Sequence, residues 1–163
     1  MPRMKMEKLR LACLLHDIGK IGVKQDILSK PDNLTPEEYE EVKIHPILSM
    51  KILRPLISDD EILKIIRHHH EHWNGRGYPD GLKGMEIPLN SRIILACDTF
   101  DAITSNRPYR EAMADKIAFD KLKSCSAKQL DPYVIKAFFK IEKEKLKAIK
   151  NLSIPSLISL LGD

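Results

Sequence analysis

The side chains in this chain that are best suited to catalysis or metal binding are its histidines. Four of them lie close together in the sequence: His68, His69, His70 and His72. Upstream, Ile62, Ile65 and Ile66 recur at the spacing of one helix face, and His69 and His70 take the next positions on that face. Two adjacent imidazoles that point inward compete for hydrogen-bond donors, and a shared cation satisfies both. We therefore predict that His69 and His70 are metal ligands.

The segment after these histidines has the composition of a turn that displays one aromatic side chain. Four turn-forming residues are expected to end the helix and reverse the backbone: Asn74, Gly75, Gly77 and Pro79. This leaves Tyr78 on a loop beside the imidazoles. We predict that His68 and His72 face outward or sideways in solvated positions and that Trp73 lies in the core.

A further histidine ends the apolar face of the first predicted helix, which runs from residue 7 to about residue 18. That face carries Leu9, Ala12, Cys13 and His16. Asp17 stands beside His16, and Lys20 follows on a loop from which its ammonium could reach a phosphate. In isolation, His16 and Asp17 fit a capped helix end near Gly19 better, and a solvated role suits Lys20 equally well. The other ligand candidates favour a metal site.

His45 is the next candidate ligand. Residues 22–33 are predicted to be a loop with a helical turn near residues 27 and 28, and Thr35 to Glu38 form a capping box, so a helix should begin at Pro36. That helix is expected to direct Tyr39 and Val42 inward. His45 lies on the same face, and the proline after it forces a kink or a restart. We predict an exposed ligand at this break, with a plain helix end as the alternative.

A carboxylate inside an apolar helix completes the candidate ligands. Residues 58–61 offer a second capping box for the helix before the central histidines, and a later helix runs from about Ser91 to Thr104. That later helix is apolar nearly all round and contains Asp98. A buried ionised carboxylate must be paired or bound to a cation, so we predict that Asp98 is a ligand. Asp101 is assigned an outer role, orienting its neighbours.

Two arginines follow that helix in a short loop, Arg107 and Arg110. The planar guanidinium suits phosphate better than an ammonium does, so both are candidate substrate anchors; surface ion pairing is the alternative. Two further helices are expected, from about residue 115 to 125 and from residue 133 to about 150. The tail from residue 151 to 163 is apolar enough to pack on the body or on a partner.

Composition limits the class of protein. The chain has 163 residues, 43% hydrophobic and 31% charged, which suits one domain with a sizeable core. A net charge of +4 is compatible with an anionic small molecule and too weak for a nucleic-acid coat. Three unpaired cysteines, Cys13, Cys97 and Cys125, are expected to be small core residues of a reduced protein. Without a signal-like or membrane-spanning run, we expect a cytoplasmic protein.

Together the candidate ligands are four histidines and two carboxylates: His16, Asp17, His45, His69, His70 and Asp98. That number is enough for two divalent metal ions, and mixed imidazole and carboxylate ligation suits iron, manganese or zinc. Asp17 could bridge the two ions, and a bridging hydroxide would then attack phosphorus in line. Lys20, Arg107 and Arg110 would balance the charge on the phosphate.

At these residues the sequence resembles the HD-GYP family, a subgroup of the HD phosphohydrolases. The matching motifs occur in the family's order over about residues 10 to 140: HDIGK at 16–20, LTPEE at 34–38, HP at 45–46, HHEHWNGRGYPDG at 69–81, DTFDA at 98–102 and RPYR at 107–110. The resemblance implies an all-α domain over residues 1–150 that hydrolyses cyclic di-GMP to pGpG or GMP on two or three metal ions, often iron. It also implies metal ligation by the six residues above, with His16, Asp17 and Lys20 catalytic and Lys20, Tyr78, Arg107 and Arg110 near the substrate.

One departure from the family concerns its upstream helices. Members usually carry a further histidine there, with a glutamate nearby, and this chain has no histidine before His16. We therefore expect either a fragment or short form without those helices, or a reduced member with fewer metals. The partners implied are a cyclic dinucleotide, sensor, receiver or diguanylate-cyclase domains and a homodimer, with no nucleic-acid polymer and no membrane. The alternatives to the enzyme are a binding module without turnover and an HD phosphohydrolase that acts on other nucleotides.

Overall fold

The computed structural model describes residues 3–105 and 115–140, and these two ranges contain α-helices and 3₁₀ helices without a strand. The helices are α1 (Arg3–Leu15), α2 (Gln25–Leu28), α3 (Pro36–Lys43), α4 (His45–Leu53), α5 (Asp60–Arg67), α6 (Leu89–Thr104), α7 (Asp115–Cys125) and α8 (Pro132–Phe138), with 3₁₀ helices at Ile18–Gly22 and Gly84–Glu86. The predicted all-α class is confirmed. The assignments to Arg107, Arg110, residues 141–150 and the tail 151–163 lie outside the described residues.

The first core lies among α1, α4, α5 and the start of α6. Helix α5 buries one face, and that face joins residues of the other helices in one cluster: Ala12, Leu53, Ile62, Leu63, Ile65, Ile66 and Ile94. The carboxylate of Asp59 accepts a hydrogen bond from the backbone N–H of Glu61 and caps α5. The predicted capping box at Ser58 is therefore wrong, because the cap lies one residue later. Burial of this face fixes the direction in which α5 delivers the residues that follow it.

The second core joins α6 to α7 and α8 through aromatic and aliphatic side chains, including Phe100, Leu122 and Phe138. A buried ion pair connects the same helices, since Arg92 Nη1 lies 2.5 Å from Asp131 Oδ2. The predicted helix α7 is present from Asp115, where the described residues resume, and its predicted end at Cys125 is confirmed. Helix α8 ends at Phe138, so the predicted continuous helix to residue 150 is wrong. Helix α6 thus contributes to both cores, with Ile94 in the first and Phe100 in the second.

Several local predictions can be compared directly with these helices. The capping box at Thr35 and Glu38 is present with both of its hydrogen bonds, and α4 restarts at His45, as predicted. Tyr39 is 47% exposed, which contradicts its predicted inward position. Cys13 and Cys97 are exposed, so their prediction as core residues is wrong, whereas Cys125 is half-buried and packs against the second core. A 3.6-residue period places a side chain on a helix face, but it does not say what covers that face.

Hydropathy adds one observation about the described helices. Across residues 3–105 and 115–140, no helix combines the length and the apolar character that crossing a bilayer would require.

Candidate metal centre

Four side chains converge where the ends of α1, α3 and α5 meet: Asp17, His45, His69 and His70. Each offers one ligand atom, and these atoms all lie within 4.8 Å of one another. Asp17 follows α1, His45 opens α4 and His69 follows α5. His45 and His69 are each only 1% exposed, so the expectation that His45 would be exposed at its helix break is wrong. The helix ends, rather than the helix faces, deliver the ligands.

Three histidines around this cluster share one local contact. Nδ1 of each ring lies near the backbone carbonyl oxygen three residues earlier: Cys13 at 2.8 Å for His16, Val42 at 2.7 Å for His45 and Ile66 at 2.6 Å for His69. A carbonyl oxygen can only accept a hydrogen bond, so Nδ1 carries the proton in each ring. Each Nε2 then presents a lone pair toward the cluster. This arrangement is the one that metal-binding histidines commonly adopt.

The consequence is an excess of electron pairs at the centre of the cluster. Nε2 of His45 lies 3.2 Å from Nε2 of His69. Oδ1 of Asp17 lies 3.2 Å from Nε2 of His45 and 3.8 Å from Nε2 of His69, and this buried oxygen has no hydrogen-bond partner. Two lone pairs and a carboxylate oxygen without a proton among them repel one another, whereas a cation bound by all three stabilises the arrangement. The donor set therefore fits a divalent metal ion.

The protonation states agree with this geometry. Burial lowers the pKa of His69 to about 3 and that of His70 to about 2, so both rings are neutral at pH 7. Burial opposes ionisation of Asp17, but its polar contacts outweigh burial and hold the pKa of this carboxyl well below its usual value; with neutral imidazoles, the Lys20 ammonium 2.6 Å from Oδ2 is the contact that stabilises the anion. An anionic carboxylate beside neutral imidazoles is the state in which these side chains can bind a metal.

The remaining predicted ligands lie at or near the border of the cluster. The His16 ring is edge-on to His69 with centroids 4.8 Å apart, and its Nε2 lies 3.4 Å from Oδ2 of Asp17. Asp98 is half-buried on α6, outside the group of four. Asp101 is exposed and accepts a hydrogen bond from the Ser105 hydroxyl, and its outer role at the site stays a prediction. The assignment of all six residues as ligands stays a prediction.

Tyr78 and Lys20 lie at the border of the cluster, each in contact with one of its four residues. The Tyr78 ring stacks on His70 with centroids 4.9 Å apart and an angle of 28° between the planes. Burial, with nearby Asp17 and Asp98, raises the pKa of the Tyr78 phenol far above its usual value, so the hydroxyl stays protonated and can donate a hydrogen bond. Lys20 Nζ lies 2.6 Å from Oδ2 of Asp17. Both residues can therefore offer hydrogen-bond donors to an anionic ligand at the metal.

The loop that carries Tyr78 lies directly against the backbone of the histidine segment. The Tyr78 N–H donates to the carbonyl oxygen of His70 over 3.2 Å. A Cβ at Gly77 would lie 2.2 Å from the backbone nitrogen of His72 and 2.5 Å from the carbonyl oxygen of His70. Only glycine allows this approach, so the sequence Gly77-Tyr78 is required for the stack on His70.

Glu71 secures the same loop, and its role was missed in the sequence. Its side chain is buried, and Oε1 accepts hydrogen bonds from the backbone N–H groups of Asp80 at 2.6 Å and Gly81 at 3.0 Å. Arg67 donates two hydrogen bonds of 2.7 Å to the Asp80 carboxylate, and His68 Nε2 lies 2.8 Å from it. The His68 side chain is only 11% exposed, so its predicted solvated role is wrong. A carboxylate beside a glycine-rich turn was the available signal for Glu71.

Replacing Glu71 by alanine is expected to lower the free energy of unfolding by about 2–4 kcal/mol, because two loop N–H groups lose their acceptor and a small cavity forms. Glu71→Gln is the matched control. Its amide oxygen can still accept both hydrogen bonds, so the loss should stay below about 1 kcal/mol. Urea unfolding of the three proteins measures the difference. Equal stabilities for the alanine and glutamine variants would show that Glu71 does not hold the loop.

Ser49 is a second contributor that the sequence did not reveal. Its buried hydroxyl donates to the carbonyl oxygen of His16 over 2.7 Å and accepts from the N–H of Gly19 over 2.8 Å. A Cβ at Gly19 would lie 2.1 Å from the carbonyl oxygen of His45 and 2.5 Å from the backbone nitrogen of Ser49. The segment that carries His16 and Asp17 is thus seated directly on α4, which sets the distance from Asp17 to His45.

Comparison with known proteins places this geometry in a family. An HD-domain family model matches residues 1–134. A cyclic di-GMP phosphodiesterase of Thermotoga maritima is 45% identical over 141 residues, which are 84% of this chain and 38% of the relative. A cyclic di-GMP phosphodiesterase response regulator of Xanthomonas campestris is 37% identical over 136 residues, which are 81% of this chain and 35% of the relative. This chain thus spans little more than a third of either relative.

Two further similarities concern proteins of Vibrio cholerae. A 3'3'-cGAMP-specific phosphodiesterase is 46% identical over 105 residues, which are 64% of this chain and 23% of the relative. The crystal structure of a cyclic GMP-AMP-specific phosphodiesterase matches with a TM-score of 0.73 at 18% identity, covering 98% of this chain and 44% of that one. At such low identity the structural match shows a shared fold alone.

Proposed function

Because this chain belongs to the HD-domain family and its relatives confirm the HD-GYP resemblance, we propose that it is a metal-dependent phosphodiesterase that hydrolyses cyclic di-GMP. One observation carries the proposal: lone pairs of His45 and His69 and an unpartnered oxygen of Asp17 converge on one point. The Asp17 side chain is 37% exposed, which gives an incoming phosphodiester a route to a cation bound there. The 46% identity to a 3'3'-cGAMP-specific phosphodiesterase supports that cyclic dinucleotide as a second candidate substrate.

The metal site we propose holds two divalent ions, with iron or manganese preferred over zinc. Asp17, His45, His69 and His70 supply four ligand atoms within 4.8 Å of one another, and His16 and Asp98 are the remaining candidates. Nitrogen and carboxylate ligands without thiolates suit these metals. When bound, the ions supply Lewis-acid stabilisation of the charge that develops on the attacking and leaving oxygens.

The protein's own residues would orient the phosphodiester and balance its charge. Lys20 lies at the rim of the cluster with a side chain that is 40% exposed, so its ammonium can turn from Asp17 to a phosphate oxygen. The protonated phenol of Tyr78 would donate a hydrogen bond to the bound ligand. Arg107 and Arg110 keep their sequence-based assignment as phosphate anchors, because they follow the end of α6 at Thr104 closely.

The test measures metal content and turnover on the same sample. The chain is stripped with a chelator, reloaded with iron or manganese and incubated with cyclic di-GMP or 3'3'-cGAMP. We expect hydrolysis only after reloading. Identification of the product shows whether pGpG or GMP is formed. Tight nucleotide binding without any product would instead support a binding module. If the fully loaded protein neither binds nor hydrolyses either dinucleotide, the proposal is contradicted.

A further inference from the structure

Two residues of α3, Tyr39 and Lys43, lie beside Tyr78 at the border of the cluster. The Tyr39 ring is 6.4 Å from the Tyr78 ring between centroids, and the planes are nearly perpendicular at 86°. Tyr78 in turn stacks on His70. Tyr39 is therefore the second aromatic ring outward from the metal ligands, on a helix that supplies none of them.

The exposure of Tyr39 sets it apart from the aromatic residues of the core. Its 47% exposed surface lies next to the half-buried Tyr78. Because the two rings are perpendicular and not stacked, a planar ligand can lie against one of them without displacing the other. An exposed ring fixed on a helix beside a catalytic cluster is a suitable platform for a base.

Lys43 adds a donor to this platform. Its Nζ lies 5.4 Å from the centroid of Tyr39 and 5.9 Å from that of Tyr78, so one ammonium group stands over both rings. The carboxylate of Glu40 lies 2.5 Å from Nζ and holds it there. The Lys43 side chain remains 26% exposed. An ammonium in this position can donate to the O6 and N7 acceptors of a guanine that rests on an adjacent ring.

We propose that Tyr39 and Lys43 form a base-binding subsite, which holds one purine of a cyclic dinucleotide while its phosphate lies at the metal cluster. The inference rests on the proposed function and extends it to the base. Tyr39 supplies the stacking surface, Lys43 supplies a hydrogen bond to the purine edge, and Tyr78 separates this subsite from His70. Recognition of the substrate is thereby divided between metal ligands that contact phosphate and α3, which contacts the base.

The test compares Tyr39→Ala, Tyr39→Phe and Lys43→Met with the wild type after metal loading. For Tyr39→Ala we expect the KM for cyclic di-GMP to rise roughly 5- to 100-fold, the range for loss of one stacked base, while kcat and metal content change little. Tyr39→Phe should restore the KM because the ring remains. Lys43→Met should raise it less. Tyr133→Ala is the matched control, since Tyr133 is 69% exposed and lies beside Trp73 on α8.

A second probe removes the base from the ligand. Ribose 5-phosphate, titrated into metal-loaded protein, should bind wild type and Tyr39→Ala equally, since it offers nothing to stack. An unchanged KM for cyclic di-GMP in Tyr39→Ala, with an active wild type, would overturn the subsite and leave the proposed function standing. A wild type that neither binds nor hydrolyses the dinucleotide would overturn the proposed function itself, and the subsite with it.

Discussion

Replacing Asp17 by asparagine is expected to abolish turnover and to weaken metal binding on the order of a hundred-fold or more, since even residues that only support a metal ligand contribute 10- to 100-fold. The substitution keeps the shape of the side chain but removes the anion that faces His45 and His69. The metal-free variant loses the ion pair with Lys20 but also loses the repulsion between the carboxylate and the two imidazoles, so it should melt close to the metal-free wild type. The new amide can donate to the lone pair on Nε2 of His45, where the carboxylate oxygen has no hydrogen-bond partner.

Metal analysis, calorimetric metal titration and thermal melting of the stripped proteins check this result. Asp26→Asn is the matched control, because Asp26 is an exposed carboxylate on α2 and its replacement should change none of the three. Full metal occupancy in Asp17→Asn would remove Asp17 from the site. A fall in the melting temperature without metal would show that the carboxylate stabilises the fold in its own right.

Gly19→Ala is expected to cost about 3 kcal/mol of stability and to reduce metal affinity at the same time, because its Cβ would overlap the backbone of α4. The nearest atoms are the carbonyl oxygen of His45 at 2.1 Å and the nitrogen of Ser49 at 2.5 Å, and neither can move without α4. The 3₁₀ helix at Ile18–Gly22 must shift away instead, and it carries Asp17 away from His45. One methyl group whose nearest neighbours are not ligand atoms would thus open the cluster.

Gly22→Ala is the control in the same 3₁₀ helix. Its Cβ would approach only the end of the Leu48 side chain, at 2.7 Å, and that side chain can rotate away. Its effect on stability should stay within about 0.5 kcal/mol and its metal affinity should equal that of the wild type. Denaturant unfolding and metal titration of both variants give the comparison. Similar losses in both would mean that the approach of Gly19 to α4 is not what holds the cluster closed.

The sequence predicted the elements of this site better than their surroundings. The period of the apolar residues in α5 correctly predicts that His69 and His70 point inward, although both lie just beyond the end of the helix at Arg67, and Pro46 correctly marks the restart of a helix at His45. Both signals depend on residues within one or two turns of the histidine. They succeed because helix faces and helix ends are determined locally.

The failures concern contacts between distant segments. Ser49 hydrogen-bonds to residues 30 and 33 positions away, and nothing in its own neighbourhood distinguishes it from a solvated serine. Tyr39 and Cys13 follow apolar periods but lie on faces that the described residues leave partly open. Glu71 differs from these residues, because the backbone N–H groups that donate to its carboxylate lie in the adjacent turn. The glycine-rich turn after Glu71 was a usable signal, but the sequence interpretation assigned roles only to the histidines around it.

The hydrogen bonds from Nδ1 of His16, His45 and His69 to carbonyl oxygens three residues earlier have a consequence for affinity. Each ring is held in one rotamer and one tautomer by its own segment, so metal binding need not pay the entropy of ordering it. The remaining cost of metal binding is to hold the helix ends together, since His45 and His69 are separated by 24 positions in the sequence. Metal affinity should therefore rise and fall with the packing of α1, α4 and α5, and a core substitution that loosens these helices should weaken metal binding as well as the fold.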